Sequence, residues 1–235
     1  MRSLIFSFLT LLVLNTSALA GIRIDASQII VEESAATRGK TVGVTSTSSA
    51  DVPYLVKAYA TRDLNGKDNR TPFIVNPSLF RLEPGTTHQL VLLSTLNNLP
   101  KDRESHFYFR TVAMPSSSPL SDINSDKAAT LKVAVGNIID LFYRPDNLPM
   151  SKQNAMEKLT FKALPAGEIQ VKNPTPYYLP LASLRIDQQP IKLGKKNIIP
   201  PFGEQVFISK LRSGKVEYRV INDLGGRETF YGTVQ

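Results

Sequence analysis

The stretch from Ala128 to Pro145 constrains the fold most, because it reads as one long strand with little charge in its first half. Leu131, Val133 and Val135 alternate with Lys, Ala and Gly, which places the larger apolar side chains on one face. This pattern fits a central strand of a sandwich or an exposed edge strand. Soluble proteins normally blunt an apolar edge with charge or proline, so an open one indicates a site of strand addition.

The first twenty residues have the pattern of a secretory signal peptide. Arg2 provides the basic start, positions 4–14 are almost all apolar, and positions 18–20 form an A-x-A cleavage site. The apolar core is too short to span a membrane, and no later segment reaches about 20 apolar residues. We therefore expect an exported, soluble protein that begins near Gly21 and does not insert into a membrane.

Composition argues against several classes of function. The 235 residues include no Cys, which excludes disulfides, thiolate catalysis and Cys-based metal sites. After cleavage, 27 basic and 20 acidic residues leave a net charge of +7, but the basic residues are scattered, so no nucleic-acid groove is indicated. The two histidines, His88 and His106, lie in predicted strands without an H-E-x-x-H motif. A G-x-S-x-G elbow and a glycine-rich phosphate loop are also absent from the sequence.

These exclusions predict a binding protein, not an enzyme, without a metal or a cofactor. One charged cluster, Asp102-Arg103-Glu104, is close enough in sequence for an acid and base pair. Charges that cap a loop before a strand explain it better, and we interpret it in that way.

Apolar runs are short, rich in β formers and bounded by turn residues, which predicts an all-β protein. The strand candidates of the first half are 28–33, 40–47, 53–61, 73–75, 88–94, 105–113 and 129–143. Those of the second half are 158–164, 168–172, 177–186, 191–193, 205–209, 215–222 and 227–234. Seven strands fit one immunoglobulin-like sandwich, so two such domains are expected.

The prolines of segment 144–149 cannot donate to a β-ladder, so the first domain should end there. The predicted organisation is a signal peptide over 1–20, a first domain over 21–143, a linker over 144–149 and a second domain over 150–235.

Six segments in order resemble the periplasmic chaperones of pilus (fimbrial) assembly, over nearly all of the mature chain. They are Pro53-Tyr54-Leu55, 77–85 (PSLFRLEPG), 99–109 with its L-P-K-D-R-E-S and F-Y-F runs, 141–145 (LFYRP), 173–178 (NPTPYY) and 221–226 (INDLGG). The resemblance implies two immunoglobulin-like domains arranged in an L. Family members lend the last strand of the first domain to a pilin subunit that lacks one strand, by donor-strand complementation, until an outer-membrane usher exchanges it.

By this resemblance the lent strand is Ala129 to Ile139, and Leu131, Val133 and Val135 fill the groove of the subunit. Two positions depart from the family, which anchors the terminal carboxylate of the subunit with an Arg and a Lys. Here Gln28 and Asp140 stand at those positions. Gln28 can donate a neutral hydrogen bond, whereas an ionised Asp140 repels a carboxylate. Either the partner is basic or neutral there, or another cation such as Lys132 or Arg23 substitutes, or the chaperone activity has weakened.

The resemblance also implies an ion network between the domains, which we place on Glu83, Arg144 and Asp223. Three separate surface charges are the alternative. The expected function is therefore a periplasmic chaperone that binds fimbrial subunits and delivers them to an usher. Two rivals stay open: a homologue that serves another exported partner, and a structural or adhesive sandwich that associates with itself through the same edge.

Overall fold

The computed structural model describes residues 21–50, 52–95, 98–116, 133–194 and 197–235. Over these ranges the chain is almost entirely strands, which pack around two separate apolar cores. The prediction of an all-β protein with two sandwich domains is thus confirmed. The predicted signal peptide lies outside the described residues.

The first domain packs a four-stranded sheet, β1-β3-β7-β5, against a five-stranded sheet, β2-β9-β8-β4-β6. β2 and β9 pair in parallel, and the other neighbours pair antiparallel. The strands are β1 (Ile22–Ile24), β2 (Gln28–Glu32), β3 (Lys40–Ser46), β4 (Tyr54–Thr61), β5 (Phe73–Asn76), β6 (Leu79–Leu82), β7 (Thr87–Ser94), β8 (Ser105–Pro115) and β9 (Val135–Arg144).

Alternation along the strands builds the first core. In β8, Phe107 and Phe109 point inward and are buried, while their neighbours are partly exposed. They meet Leu90 and Leu92 of the opposite sheet in one apolar cluster. Period-two alternation buries one face of each sheet and leaves the other for solvent or a partner.

The second domain has a three-stranded sheet, β10-β11-β15, and a five-stranded sheet, β13-β12-β16-β17, in which β14 also pairs with β12. One short helix, α1, precedes them, and the side chain of Ser151 caps it by accepting from the backbone N–H of Asn154 at 3.2 Å. The elements are α1 (Lys152–Met156), β10 (Thr160–Leu164), β11 (Glu168–Lys172), β12 (Leu179–Ile186), β13 (Gln189–Pro190), β14 (Ile198–Ile199), β15 (Glu204–Ile208), β16 (Lys215–Ile221) and β17 (Arg227–Thr233).

Some predicted strands differ from the observed ones. The segment Ile191–Leu193 is not a strand, although its two apolar residues alternate and pack against the second core. The alternation reflects burial of a loop beside β12, where the backbone N–H of Ile191 donates to the carbonyl of Leu184. β1, β6, β13, β14 and α1 were not predicted, because each spans only two to five residues.

A buried amide organises the turn between β11 and β12. The side-chain N–H groups of Asn173 donate to the carbonyls of Tyr177, Ile199 and Pro200, and its Oδ1 accepts from the backbone and hydroxyl of Thr175. Every polar atom of this fully buried side chain is therefore satisfied.

We expect Asn173→Ala to lower the free energy of unfolding by about 2 to 4 kcal/mol, because it leaves buried carbonyls without donors. Urea denaturation measures the change. Asn147→Ala, at an exposed position of the linker, is the control and should change stability by less than about 0.5 kcal/mol. Equal stability of the two variants would contradict this role of Asn173.

Candidate functional site

One edge of β9 is open along half of the strand. β9 pairs with β8 over residues 135–143, but β2 covers its other edge only from Asp140 to Arg144. Among the described residues no strand pairs with the remaining edge, 135–139. The amide of Asn137 donates there to the carbonyl of Ile22, which belongs to the opposite sheet. The free ladder groups of 135–139 can accept an added strand.

The residues predicted to fill a partner's groove lie at or before this edge. Val135 is half-buried and packs partly against the first core. Val133 is 59% exposed, which is unusual for an apolar side chain in line with a buried strand face. Leu131 lies outside the described residues. Val133 is therefore the side chain most available to a partner in the described part of this segment.

The two positions that depart from the family pattern lie directly opposite each other. Gln28 and Asp140 are partners in the parallel β2–β9 register. The side-chain amide of Gln28 donates to the carbonyl of Asn222 in the second domain at 2.7 Å, and Oδ1 of Asp140 lies 2.8 Å from Nε2 of His106. His106 in turn stacks on Phe142. Both side chains are thus engaged within the protein.

A charged cluster joins the two domains at the other end of β9. The guanidinium of Arg144 donates to Glu104 at 2.7 Å through Nε, and to both carboxylate oxygens of Asp223 at 2.5 and 2.8 Å. A bidentate pair of this kind fixes orientation as well as distance. The prediction that Arg144 and Asp223 come together is therefore correct.

The assignment of Glu83 to this cluster is wrong. Glu83 pairs instead with Arg81, at 2.6 Å, on the surface of the first domain, where both side chains are more than half exposed. Glu104 occupies the position in the cluster that was predicted for Glu83. The reason is the β8–β9 register: Ser105 pairs with Tyr143, so the preceding residue, Glu104, meets the following one, Arg144.

Glu104 is completely buried and its carboxylate is fully used. One oxygen accepts from Arg144, and the other accepts from the backbone N–H of Tyr178 in the second domain at 2.8 Å. The ammonium of Lys152 lies 3.7 Å from this second oxygen and donates to the carbonyl of Tyr178. The backbone N–H of Glu104 donates to the carbonyl of Pro176, which adds a further link between the domains.

Burial and pairing set the protonation of this cluster. Burial opposes ionisation of Asp223, but the hydrogen bonds and charge of Arg144 outweigh it, so the pKa of Asp223 lies below its usual range. Burial would lower the pKa of Arg144, yet Asp223 and Glu104 raise it above the usual value. Burial lowers the pKa of Lys152, against the opposing charge of Glu104. The cluster pairs two cations with two carboxylates.

The described residues contain no cluster of His, Asp and Glu side chains that could hold a metal ion. They also contain no helix that is long and apolar enough to cross a membrane.

Comparison with known proteins agrees with this geometry. Two family models match the chain: the pili and flagellar-assembly chaperone PapD N-terminal domain over residues 21–149, and the pili assembly chaperone PapD C-terminal domain over residues 154–231. The chain belongs to the PapD-like pilus assembly chaperone family.

Individual relatives match nearly the whole chaperone. The chaperone protein LpfB of Salmonella typhimurium is 30% identical over 217 residues, which cover 91% of this chain and 89% of LpfB. The crystal structure of the E. coli chaperone DraB superposes with a TM-score of 0.77 at 25% identity, over 92% of this chain and 97% of DraB. A chain from the structure of the Salmonella enterica SafA pilin in complex with the SafB chaperone superposes with a TM-score of 0.77 at 26% identity. The match covers 91% of this chain and 96% of that chain.

Sequence reasoning missed Glu104, Lys152 and His106 as members of the functional region of this chaperone. Glu104 lies in a segment that resembles the family, but its neighbours Asp102 and Arg103 are also charged and pair with each other on the surface. The register of β8 against β9 would have identified it. Lys152 gave no signal, because its role depends on how α1 packs against the first domain.

We expect Arg144→Ala to lower the free energy of unfolding by about 3 to 5 kcal/mol, because it removes the partner of Asp223 and leaves the buried Glu104 with only Lys152, 3.7 Å away, as a counter-charge. Urea denaturation followed by circular dichroism measures this loss. Arg219→Ala is the matched control, because Arg219 is half exposed and lies 3.8 Å from its partner Glu217. Similar stability of the two variants would show that the cluster does not join the domains.

The lowered pKa of Asp223 makes its contribution depend on pH. A carboxylate whose pKa is lower in the folded state stabilises that state above its unfolded pKa, about 4, and loses this effect as pH falls through the folded pKa. Asp223→Asn should therefore be less stable than the wild type at pH 7, and the difference should shrink below pH 4. Urea titrations at pH 7, 5, 4 and 3 measure it, and a constant difference would contradict this assignment.

Proposed function

We propose that this protein is a periplasmic chaperone that binds fimbrial subunits by lending them β9 and delivers them to an outer-membrane usher. The observation that carries the proposal is the open edge of β9 at residues 135–139 in a chain of this family. Backbone groups there can complete a sheet that lacks one strand, and backbone pairing provides affinity with little sequence preference. Membership of the family supports the fimbrial subunit as the partner.

Side-chain geometry supports the same role. Val133 lies two residues before β9 begins and is 59% exposed, so much of its apolar surface is available to a partner. The groove of a subunit would cover this apolar surface. We expect the groove to cover Leu131, two residues earlier in the chain, in the same way. The proposed role is binding, without a catalytic step.

The domain limits predicted from sequence fit this role. The signal peptide over 1–20 would direct export to the periplasm, and the first domain over 21–143 would provide the lent strand. The second domain, over 150–235, would cover the outer face of β9 near Asp140 and hold it through the cluster around Arg144.

We expect Val133→Glu to abolish capture of subunits while the chaperone stays folded, because the new carboxylate is buried and unpaired only in the complex. The measurement is native mass spectrometry of the protein from periplasm that also contains the fimbrial subunits encoded beside it. The wild type should give a one-to-one complex, and Val133→Glu should give free protein.

Ile208→Glu is the matched control, because Ile208 is a highly exposed apolar residue of the second domain, and this variant should bind like the wild type. Retained capture by Val133→Glu would contradict the assignment of the lent face. Pairs of identical chains, without a subunit, would instead support the self-associating sandwich.

A further inference from the structure

The open edge of β9 ends at a defined place. An added strand can follow residues 135–139, but at Asp140 the edge is already occupied by β2, which begins at Gln28. A segment bound along the edge must therefore stop or turn away beside these two side chains. The inference below rests on the proposed function, because it concerns the same bound segment.

A cleft between the domains lies at this point and encloses about 450 Å³. Its walls come from both domains and combine aliphatic side chains with those of Asn65, Tyr108 and Asn197, and Asp140 is the charged residue that lines it. The lining includes Leu64, Tyr108, Ile138 and Asp140 of the first domain, and Asn197 and Ile198 of the second. One carboxylate beside aliphatic side chains suits a ligand with an apolar stem and a polar, positively charged head.

Asp140 keeps one available acceptor at the end of the edge, whereas the neighbouring Gln28 lines a different cleft, with Arg144 and Asp223. Oδ1 of Asp140 is paired with His106, whereas Oδ2 makes no hydrogen bond within the described part of the chain. The amide of Gln28 uses a donor on the carbonyl of Asn222, and its Oε1 is likewise without a partner there. A free carboxylate oxygen of Asp140 favours a donor, and a bound carboxylate would be repelled by it.

Nearby cations do not offset this charge. Arg144 donates to both Glu104 and Asp223, which neutralise it within the interdomain cluster. Lys152 is directed to Glu104 and to the carbonyl of Tyr178. Among the described residues, His106 is the basic side chain that contacts Asp140.

We propose that this cleft binds a lysine or arginine side chain of the captured subunit, where the added segment reaches the end of the open edge. The aliphatic stem packs between Ile138 and Ile198, and the charged head donates to Asp140 Oδ2. The site thereby selects subunits with a basic residue at this position, and disfavours those that present a free carboxylate.

The test uses the full chaperone and the subunit whose complex is isolated as described above. Denatured subunit is diluted into wild type, Asp140→Asn, Asp140→Lys or the control Glu204→Lys, which reverses an exposed charge on β15. The chaperone concentration for half-maximal yield of the one-to-one complex is measured at 50 and 300 mM NaCl. A photo-crosslinker at position 138 identifies the subunit residue in the cleft.

We expect this concentration to rise at least about tenfold for Asp140→Asn, as for truncation of a buried charged partner, and further for Asp140→Lys, with no change for Glu204→Lys. The crosslinked peptide should contain a Lys or Arg, and replacing that residue with Glu should restore capture by Asp140→Lys. Equal or better capture by Asp140→Lys with the wild-type subunit would overturn the inference but leave the proposed function intact. No capture by folded wild type would overturn both.

Discussion

Strand β9 must serve two environments, and the rest of the structure depends on how it does so. Its second half, from Asp140 to Arg144, is fixed between β2 and β8 and contributes Leu141 and Tyr143 to the first core. Within the described part of the chain, its first half pairs with β8 only, and the side chain of Asn137 adds a bond to the carbonyl of Ile22. A single strand can keep an open edge without losing its register only because the fixed half sets that register. The packing of residues 140–144 between two strands therefore permits residues 135–139 to keep an open edge.

The interdomain cluster extends this constraint to the second domain. Arg144 is the last residue of β9, so the bond that orients the second domain is continuous with the strand that carries the open edge. The backbone N–H of Glu104 donates to the carbonyl of Pro176, and its carboxylate accepts from the backbone N–H of Tyr178, so Glu104 links the domains through both its main chain and its side chain. The cleft at Asp140 thus has walls from two domains whose relative position is fixed close by.

Local patterns revealed the strands and the family, but not the pairing of distant charges. The alternation of Val133 and Val135 is local and fitted a central or an edge strand, and the prolines after Arg144 indicated where it ends. The predicted strand began at Ala129, but residues 133–134 lie outside β9, which begins at Val135. Glu83 was chosen in place of Glu104, because a glutamate's partner 40 or more residues away depends on sheet register, which no short window contains. The alternation of Ile191 and Leu193 predicted a strand where the chain forms a loop, since apolar residues of a buried loop can alternate like those of a strand.

Charge balance explains why the departure at Asp140 matters. Within the cluster, Arg144 and Lys152 face Glu104 and Asp223, so bringing these four groups together leaves little net charge. Asp140 lies outside this balance, with His106 as its partner in the described chain. Asp140 is 30% exposed and shares one carboxylate oxygen with His106, so its other oxygen can accept from a counter-charge. A basic group from a bound segment would provide it, and binding would then satisfy a charge that folding alone leaves half-paired.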